Sequence, residues 1–504
     1  MGSDDPSARR VRRAGGRTSA RPHAAPARGS APGPRVDGDA ASWHGATLHA
    51  RGAAPARGCS AGRGFGMQRM TAGDAAWYRM DRPRNETDVV ALLAFRGAVE
   101  LGRVKRLVEE RLLSVERFRQ RPVPAWIGAP GWELDPGFSL RRHLTATELP
   151  PGALRDFIGE VATSWLDPAH PLWRVHVVRE RGGGGAIVAK LQHALGDGFA
   201  LVALLLALAD EHAAQEAPRA RIDPAAHAWP GRPDLTAVRE AAGFAVTLAR
   251  LAAMPSDPPA LSAAPLSGVR RVAWSDALPL DAIREAAHRA GATVNDLVVA
   301  AIAGALRPLV SRGGRPPRPV RAFIPVNFRP GRPDLGADAS LGNRFGLVFL
   351  DLPVDLAAAR ARLEAVHARV AALRSGAGAL VAHDVLALAG YAPSAVQHAL
   401  TRFFARKASL VLTNLPGPRS PIHLAGRPLA AAMFWVPHPA NLGLGVSVLG
   451  YAGDVRVGVR ADTAVLAEPA ALVARIEAET RALGVRRART RGRRRTPPRA
   501  GGGA

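Results

Sequence analysis

Cysteine is nearly absent from this 504-residue chain: Cys59 is the only one, and it lies in a leader rich in Arg, Gly and Pro. A single thiol excludes a disulfide framework and any cage of thiolate ligands. In such a leader it also has no base held beside it, which argues against a cysteinyl acyl-enzyme. Aromatic residues make up only 5% of the chain, and lysine occurs only at Lys105, Lys190 and Lys407. No stretch approaches the roughly eighteen uninterrupted apolar residues of a spanning helix. The nearest, Phe199 to Ala209, stops at Asp210-Glu211 and reads as core. The N-terminal segment has no continuous apolar h-region either, so it does not read as a secretory signal. The scattered histidines show no ligand spacing backed by carboxylates, and no metal is expected.

Acidic residues are the minority charge: 42 Asp and Glu against 68 Lys and Arg give a formal net charge of +26. The excess is not spread evenly. Residues 1–66 hold eleven Arg against four Asp, and residues 481–504 hold nine Arg and no acid, so 16 of the 26 net charges sit in two terminal segments. Both are rich in Gly and Pro and lack the apolar content to pack. Such runs touch nucleic acid only nonspecifically, having neither aromatic interleaving nor a recognisable module, and anionic membrane surface suits them at least as well. The preference for arginine over lysine fits a GC-rich coding genome.

Between those tails, 47% hydrophobic residues over 504 positions point to two domains. The expected organisation is a disordered basic leader (1–66), a first domain (67–214), a Pro- and Ala-rich crossover (215–267) with one helix-like stretch from Leu235 to Met254, a second domain (268–483) and an Arg-rich tail (484–504). The first domain reads as strand at Val89 to Arg96, helix at Val99 to Glu110, an extended stretch at Phe118 to Trp126 and a helix through Leu154 to Val161. A hairpin follows, Arg174 to Arg179 and Ala186 to Gln192 around the turn Arg181-Gly-Gly-Gly-Gly185. The second domain reads as strands at Val272, Leu410, Ala431, Leu444 and Val455. Its helices are Leu280 to Ala290, Thr293 to Leu306, Leu356 to Ser375 and Ala467 to Leu483, with strand and loop alternating over Val320 to Val326 and Gly346 to Pro353. Strands and helices mix in both halves, which places the chain in the α/β class as two similar sandwiches.

The chemically pointed segment is Leu191-Gln-His-Ala-Leu-Gly-Asp-Gly198, containing His-x-x-x-Asp-Gly at His193, Asp197 and Gly198. A strand-like run leads into it and an apolar helix-like run leads out. A histidine at that junction is rigidly supported and can face a cleft, which is the placement of a general base. The plain alternative is structural: Asp197 as the N-cap of a buried helix and His193 as a satisfied core histidine.

Residues Gln192-His193 to Gly198 resemble the His-His-x-x-x-Asp-Gly signature of the bacterial wax ester synthase/diacylglycerol acyltransferase family, relatives of the chloramphenicol acetyltransferase and condensation-domain superfamily. Further blocks follow in that family's order: Met67 to Arg84, Pro171-Leu172-Trp173, Asn295-Asp296, Ile324 to Arg329, Gly342-Asn343-Arg344, Thr413 to Pro418, and Tyr451 to Asp454 through Asp462. The resemblance spans Met67 to about Leu483. Translation from Met67 or Met70 is therefore one expectation for the leader, and a genuine tail is the other.

The resemblance implies two superposable chloramphenicol acetyltransferase-like domains with an active-site tunnel at their junction. It implies an enzyme that transfers a long-chain acyl group from acyl-CoA, as co-substrate and with no cofactor, to diacylglycerol or a long-chain alcohol. His193 is then the base. Asp197 is a cap or ion-pair partner, Gly198 leaves room for the thioester, and the helix starting there keeps the imidazole neutral. Asn295 is the oxyanion donor or else a helix cap; Pro171, Leu172 and Trp173 shape the acyl passage, or Trp173 is plain core. Gln192 departs from the signature: an amide stands where the first imidazole is expected, bearing on rate or on the acceptor channel. That departure keeps open a noncatalytic lipid or CoA binder, and a condensation-type enzyme with a carrier-bound donor is the other alternative. The expected location is cytoplasmic, with peripheral contact to a membrane or lipid-droplet surface and no specific nucleic-acid partner.

Overall fold

A computed structural model describes residues 67–83, 85–125, 128–212, 249, 252–257, 261, 265–311, 317–327, 343, 345–375 and 394–486. The basic leader, the Arg-rich tail beyond residue 486, most of the crossover with the greater part of its helix-like stretch (235–248, 250 and 251), Trp126, Gly342 and Arg344 lie outside the described residues.

The chain opens with β1 (Gln68–Arg69) and helix α1 (Ala72–Met80), whose N-cap Thr71 accepts from the Asp74 amide. β2 (Asp88–Phe95) is the run DVVALLAF, with alternation suppressed because both faces of the strand are covered. Helix α2 (Leu101–Leu107) passes into a π turn, Val108–Leu112, so the helix expected there changes its winding at the end. The stretch expected to be extended from Phe118 begins instead with a 3-10 turn (Glu116–Arg119) before β3 (Gln120–Val123). β3 pairs with β4 (Gly131–Leu134), and β4 with β1. After α3 (Leu140–His143), β5 (Leu144–Leu149) and α4 (Leu154–Thr163) come the hairpin strands β6 (Trp173–Glu180) and β7 (Gly184–Gln192). The glycine run supplies the turn, Gly182 and Gly183 holding φ of +109° and +114°, which an L side chain resists. A 3-10 turn (His193–Leu195) then leads to α5 (Gly198–Leu208).

The second half contributes β8 (Arg270–Trp274), β9 (Leu278–Pro279), α6 (Leu280–Arg289), α7 (Val294–Val310), β10 (Val320–Asn327) and β11 (Phe345–Leu352). Then come α8 (Ala359–Ser375), α9 (Ser394–Ala405), β12 (Leu410–Pro416), β13 (His423–Leu424), β14 (Arg427–Trp435), β15 (Leu444–Tyr451), β16 (Asp454–Asp462) and α10 (Pro469–Ala482). The stretches over Val320 and Gly346, read as alternating strand and loop, are both strands in antiparallel register, Val320 opposite Leu352 and Asn327 opposite Phe345.

Besides the small β1-β4-β3 sheet there are two large ones. The six-stranded sheet runs β13-β14-β2-β7-β6-β5, and the seven-stranded sheet runs β11-β10-β12-β15-β16-β8 with β9 beside β16. β14 thus belongs by sequence to the second half but pairs antiparallel with β2, Trp435 opposite Val90. β5, not singled out in the sequence, is LTATEL at the edge of the sheet, where alternate residues meet solvent and weaken the apolar signal.

Helix α7 is the axis of the second core. Leu297 through Leu306 are all buried, and a capping box fixes its start: the Asp296 amide donates to Thr293 Oγ1 and the Thr293 amide to Asp296 Oδ2. Among the described residues no single helix is long and apolar enough to cross a membrane. α6 and α7 pass that test only as a pair bent by 91°, and Ile283, Leu297 and Ile302 of that pair are fully buried.

Candidate active site

Alternation along β7 decides what the site contains. Ala189, Leu191 and His193 line a cavity, while Lys190 and Gln192, one step out of phase, point to the opposite side of the sheet. His193 follows the last strand residue. Its backbone N–H donates to the Thr87 carbonyl at 2.9 Å, and its ring stacks on Trp77 with centroids 4.0 Å apart and planes 21° from parallel. Asp197 caps α5, its Oδ1 accepting from the Ala200 amide at 3.0 Å, which is the structural role expected of it.

The imidazole is 7% exposed, and burial lowers its pKa to about 4, so the ring is neutral at physiological pH. Asp197 and the Asn343 side chain push in the opposite direction. Neutrality, expected from the N-terminus of α5, is held chiefly by desolvation.

The cavity holds about 1970 Å³ counted out to its open mouth. Its wall draws on α1 (Trp77, Met80), β2 (Val89, Ala91, Leu93), α9 (Leu400, Thr401) and β14 (Ala432, Phe434) as well as β12. Helix α5, GFALVALLLAL, has no polar side chain, and the reason is positional. Leu206 is buried in the core and Val202 is buried at the edge of the cavity wall, while Leu201, Leu204, Leu205 and Leu208, at i, i+3, i+4 and i+7, are only half-buried because they face the cavity. A helix that presents leucine to an empty space has a surface suited to an aliphatic chain.

β12 supplies the facing wall through Val411, Thr413 and Leu415. It comes close to the start of α5: a Cβ on Gly198 would stand 2.6 Å from Leu415 Cδ1, so the glycine allows the two elements to meet. Thr413, on the same face as Leu415, has a buried hydroxyl with no hydrogen-bond partner among the described residues. Trp77, Thr413 and Asn343 carry no role in the sequence reading, although all three lie in blocks that carry the resemblance. Their type gives no signal, because Trp, Thr and Asn serve equally well as core, strand and turn residues.

Three expectations are corrected. Pro171, Leu172 and Trp173 do not line the cavity. Trp173 is core, its Nε1 donating to the Phe118 carbonyl and its ring stacked on His143, and the Leu172 carbonyl accepts from the Gln192 amide, which steadies the end of β7 from behind. Asn295 does not line it either. It sits in the first turn of α7, accepting from Asn414 Nδ2 at 3.0 Å, and Asn414 alternates with Thr413 and so lies on the other face of β12. Gln192, finally, faces no channel. Its Nε2 donates to Thr87 Oγ1 (3.1 Å) and the Trp77 carbonyl (3.3 Å), and its Oε1 accepts from the Ala194 amide (2.6 Å). It braces the loop that carries His193. Gln192→His is therefore expected to leave kcat/KM within about threefold, under 1 kcal/mol of transition-state free energy, when both proteins are assayed side by side.

Behind Gln192 lies a buried ionic cluster joining both halves. Asp88 bridges Lys190 Nζ (2.5 Å) and Arg460 Nη1 (2.6 Å), Arg270 pairs with Asp462, and Glu86 stands 3.4 Å from Arg270 and 3.9 Å from Arg460. Three cations face three carboxylates. Among the described residues no three His, Cys, Asp or Glu side chains are grouped as a metal cage needs.

The family model of the wax ester synthase/diacylglycerol acyltransferase catalytic domain matches residues 70–253, and that of the WS/DGAT C-terminal domain matches residues 341–484. A probable diacylglycerol O-acyltransferase of Mycobacterium tuberculosis is 30% identical over 399 residues, covering 73% of this chain and 84% of the relative. A putative one of Mycobacterium bovis is 31% identical over 412 residues, covering 72% and 80%. Among solved structures, the wax ester synthase/diacylglycerol acyltransferase from Marinobacter aquaeolei VT8 superposes with a TM-score of 0.60 at 21% identity, covering 82% of this chain and 98% of that one. The first condensation domain of the calcium-dependent antibiotic synthetase gives 0.57 at 17% identity, covering 83% and 95%. The chain belongs to the wax ester synthase/diacylglycerol acyltransferase family.

Proposed function

We propose that this chain is an O-acyltransferase that moves a long-chain acyl group from acyl-CoA to diacylglycerol or a long-chain alcohol, with His193 as general base. One observation carries the reading: a neutral imidazole opens on a large cavity whose wall is a stripe of half-buried leucines. The imidazole takes the proton of the acceptor hydroxyl as its oxygen attacks the thioester carbon, and the C–S bond of the tetrahedral intermediate then breaks. The CoA sulfur leaves with the proton returned from the imidazolium. Proton removal at that step is worth about 10² to 10⁴-fold. In place of Asn295, the Thr413 hydroxyl is the donor we assign to the oxygen that gains charge, because it is buried, unpartnered among the described residues and on the face of β12 next to Gly198. The acceptor in this reading is drawn from a membrane or lipid-droplet surface by peripheral contact, in the cytoplasmic location that the family resemblance implies.

The test offers palmitoyl-CoA with hexadecanol and diacylglycerol together and separates the products by chromatography. Wax ester, triacylglycerol or both are expected along with stoichiometric CoA release, and no ester with either acceptor would end the proposal.

Leu205 lies seven residues along α5 from Gly198, roughly 10 Å by helical rise, which matches about eight methylenes of an extended chain. Leu205→Trp is expected to contract the chain-length profile of one co-substrate, penalising sixteen-carbon chains at least about tenfold against eight-carbon ones. Varying the acyl-CoA at fixed alcohol, then the alcohol at fixed acyl-CoA, identifies the chain that lies along α5. Two unchanged profiles would remove this helix from the lipid path.

A further inference from the structure

Helices α1 and α7 both begin with a Thr N-cap and an Asp three residues on, yet the two aspartates are used differently. Asp296 returns to the Thr293 amide and closes a capping box. Asp74, 3% exposed, turns instead to Asn343 of the second half, accepting from its backbone N–H at 3.2 Å and from its Nδ2 at 2.8 Å. The approach is close: a Cβ on Gly73 would stand 3.3 Å from both Cβ and the carbonyl oxygen of Asn343. A helix that needed only its cap satisfied would not aim a buried carboxylate at another part of the chain.

Asn343 carries the contact onward. Its Nδ2 also donates to the His193 carbonyl at 2.9 Å. With both amide hydrogens used, Asn343 is locked between the Asp74 carboxylate and the His193 backbone, and its buried Oδ1 has no hydrogen-bond partner among the described residues. Burial lowers the His193 pKa, and the Asn343 side chain opposes that shift.

We infer that Asp74 and Asn343 are positioning residues for His193: Asp74 fixes the Asn343 amide, and Asn343 Nδ2 holds the His193 carbonyl, and with it the backbone from which the imidazole projects into the cavity. The inference rests on the reading of His193 as the base. It also means that the base is completed by a residue from the other half of the chain, so neither half assembles it alone.

Asp74→Ala, Asn343→Ala and the double variant, assayed by CoA release from palmitoyl-CoA with hexadecanol, test the relay. Each single variant is expected to lose about 10- to 100-fold in kcat with KM changed less than about twofold, because a slightly misplaced base slows chemistry while lipid binding is untouched. The double variant is expected to be no slower than the worse single one, since both act through one contact. Losses that multiply, or a rise in KM at constant kcat, would overturn the relay and leave a mere clamp between the halves. If Asp74→Ala does not fold, Asn343→Leu, which removes both amide hydrogens at similar volume, decides by itself: a fall in kcat at unchanged KM supports the relay, and an unchanged kcat rejects it. A His193→Ala protein as active as wild type defeats the base reading itself, whereas an inactive one beside fully active relay variants defeats only the relay.

Discussion

His193→Ala is expected to lower kcat/KM by about 10² to 10⁴-fold, the contribution of a positioned base, while leaving the protein folded. The imidazole borders the cavity, so removing it enlarges a space that already exists and sacrifices mainly the stacking on Trp77. Initial rates of CoA release, with far-UV circular dichroism as the folding control, measure it. The same base sets the pH dependence. A ring held at about 4 by burial stays deprotonated down to that pH, so the acid limb of the wild-type kcat/KM profile is expected near 4, well below the ordinary imidazole value of 6.5. The folded state favours neutral His193, so the group's stability contribution is present above 6.5 and is lost as pH falls toward 4. Rates at the acid end therefore have to be read on protein shown to be folded. An acid limb near 6.5 would mean that the imidazole is solvated, contrary to its burial.

The second large effect is on stability. Asp88 is buried between Lys190 and Arg460. Burial alone would raise its pKa, but the two cations outweigh that and hold the carboxyl below the usual range. Asp88→Ala leaves three cations facing two carboxylates, and breaking a buried pair from one side costs about 3 to 5 kcal/mol. We expect the unfolding midpoint in urea to fall accordingly. Asp88→Ala combined with Lys190→Met restores the balance at two cations and two carboxylates and is expected to recover part of the loss. A single variant as stable as wild type would show that the cluster is hydrated and its charges screened. Because the folded Asp88 pKa is lowered, its contribution is present above the ordinary carboxylate value of 3.8 and is lost only as pH falls further.

Much of this was legible in the sequence where a local rule operates. The β6–β7 hairpin follows from two apolar runs around four glycines, α7 from the capping pattern at Thr293 and Asp296, and β15 from an apolar run bounded exactly at Leu444 and Tyr451. The strand-to-helix junction at His193 and the capping role of Asp197 are likewise local. Of the two readings open for Trp173 the core one holds, and Asn295 neither lines the cavity nor caps its helix, whose N-cap is Thr293; direction, not type, decides such uses, because whether a residue faces a cavity depends on which side of a strand or helix its neighbours occupy. Gln192 is the clearest case. The pair of positions 192 and 193 looks like one unit in the sequence, but consecutive residues of a strand look opposite ways. Asn343 lies in a block that carries the resemblance, but its role could not be read from sequence, since its contacts to Asp74 and His193 span 269 and 150 positions.

The placement of β14 has a consequence for biosynthesis. The open edge of β2 receives its neighbour only when residues 427–435 arrive, roughly 240 residues after β7, which is tens of seconds at ordinary ribosomal speed. Until then a bare apolar border, DVVALLAF, is offered to any other unfinished chain. A polypeptide ended before Arg427 keeps that border permanently, so shortened forms of this enzyme should precipitate rather than survive as a working half.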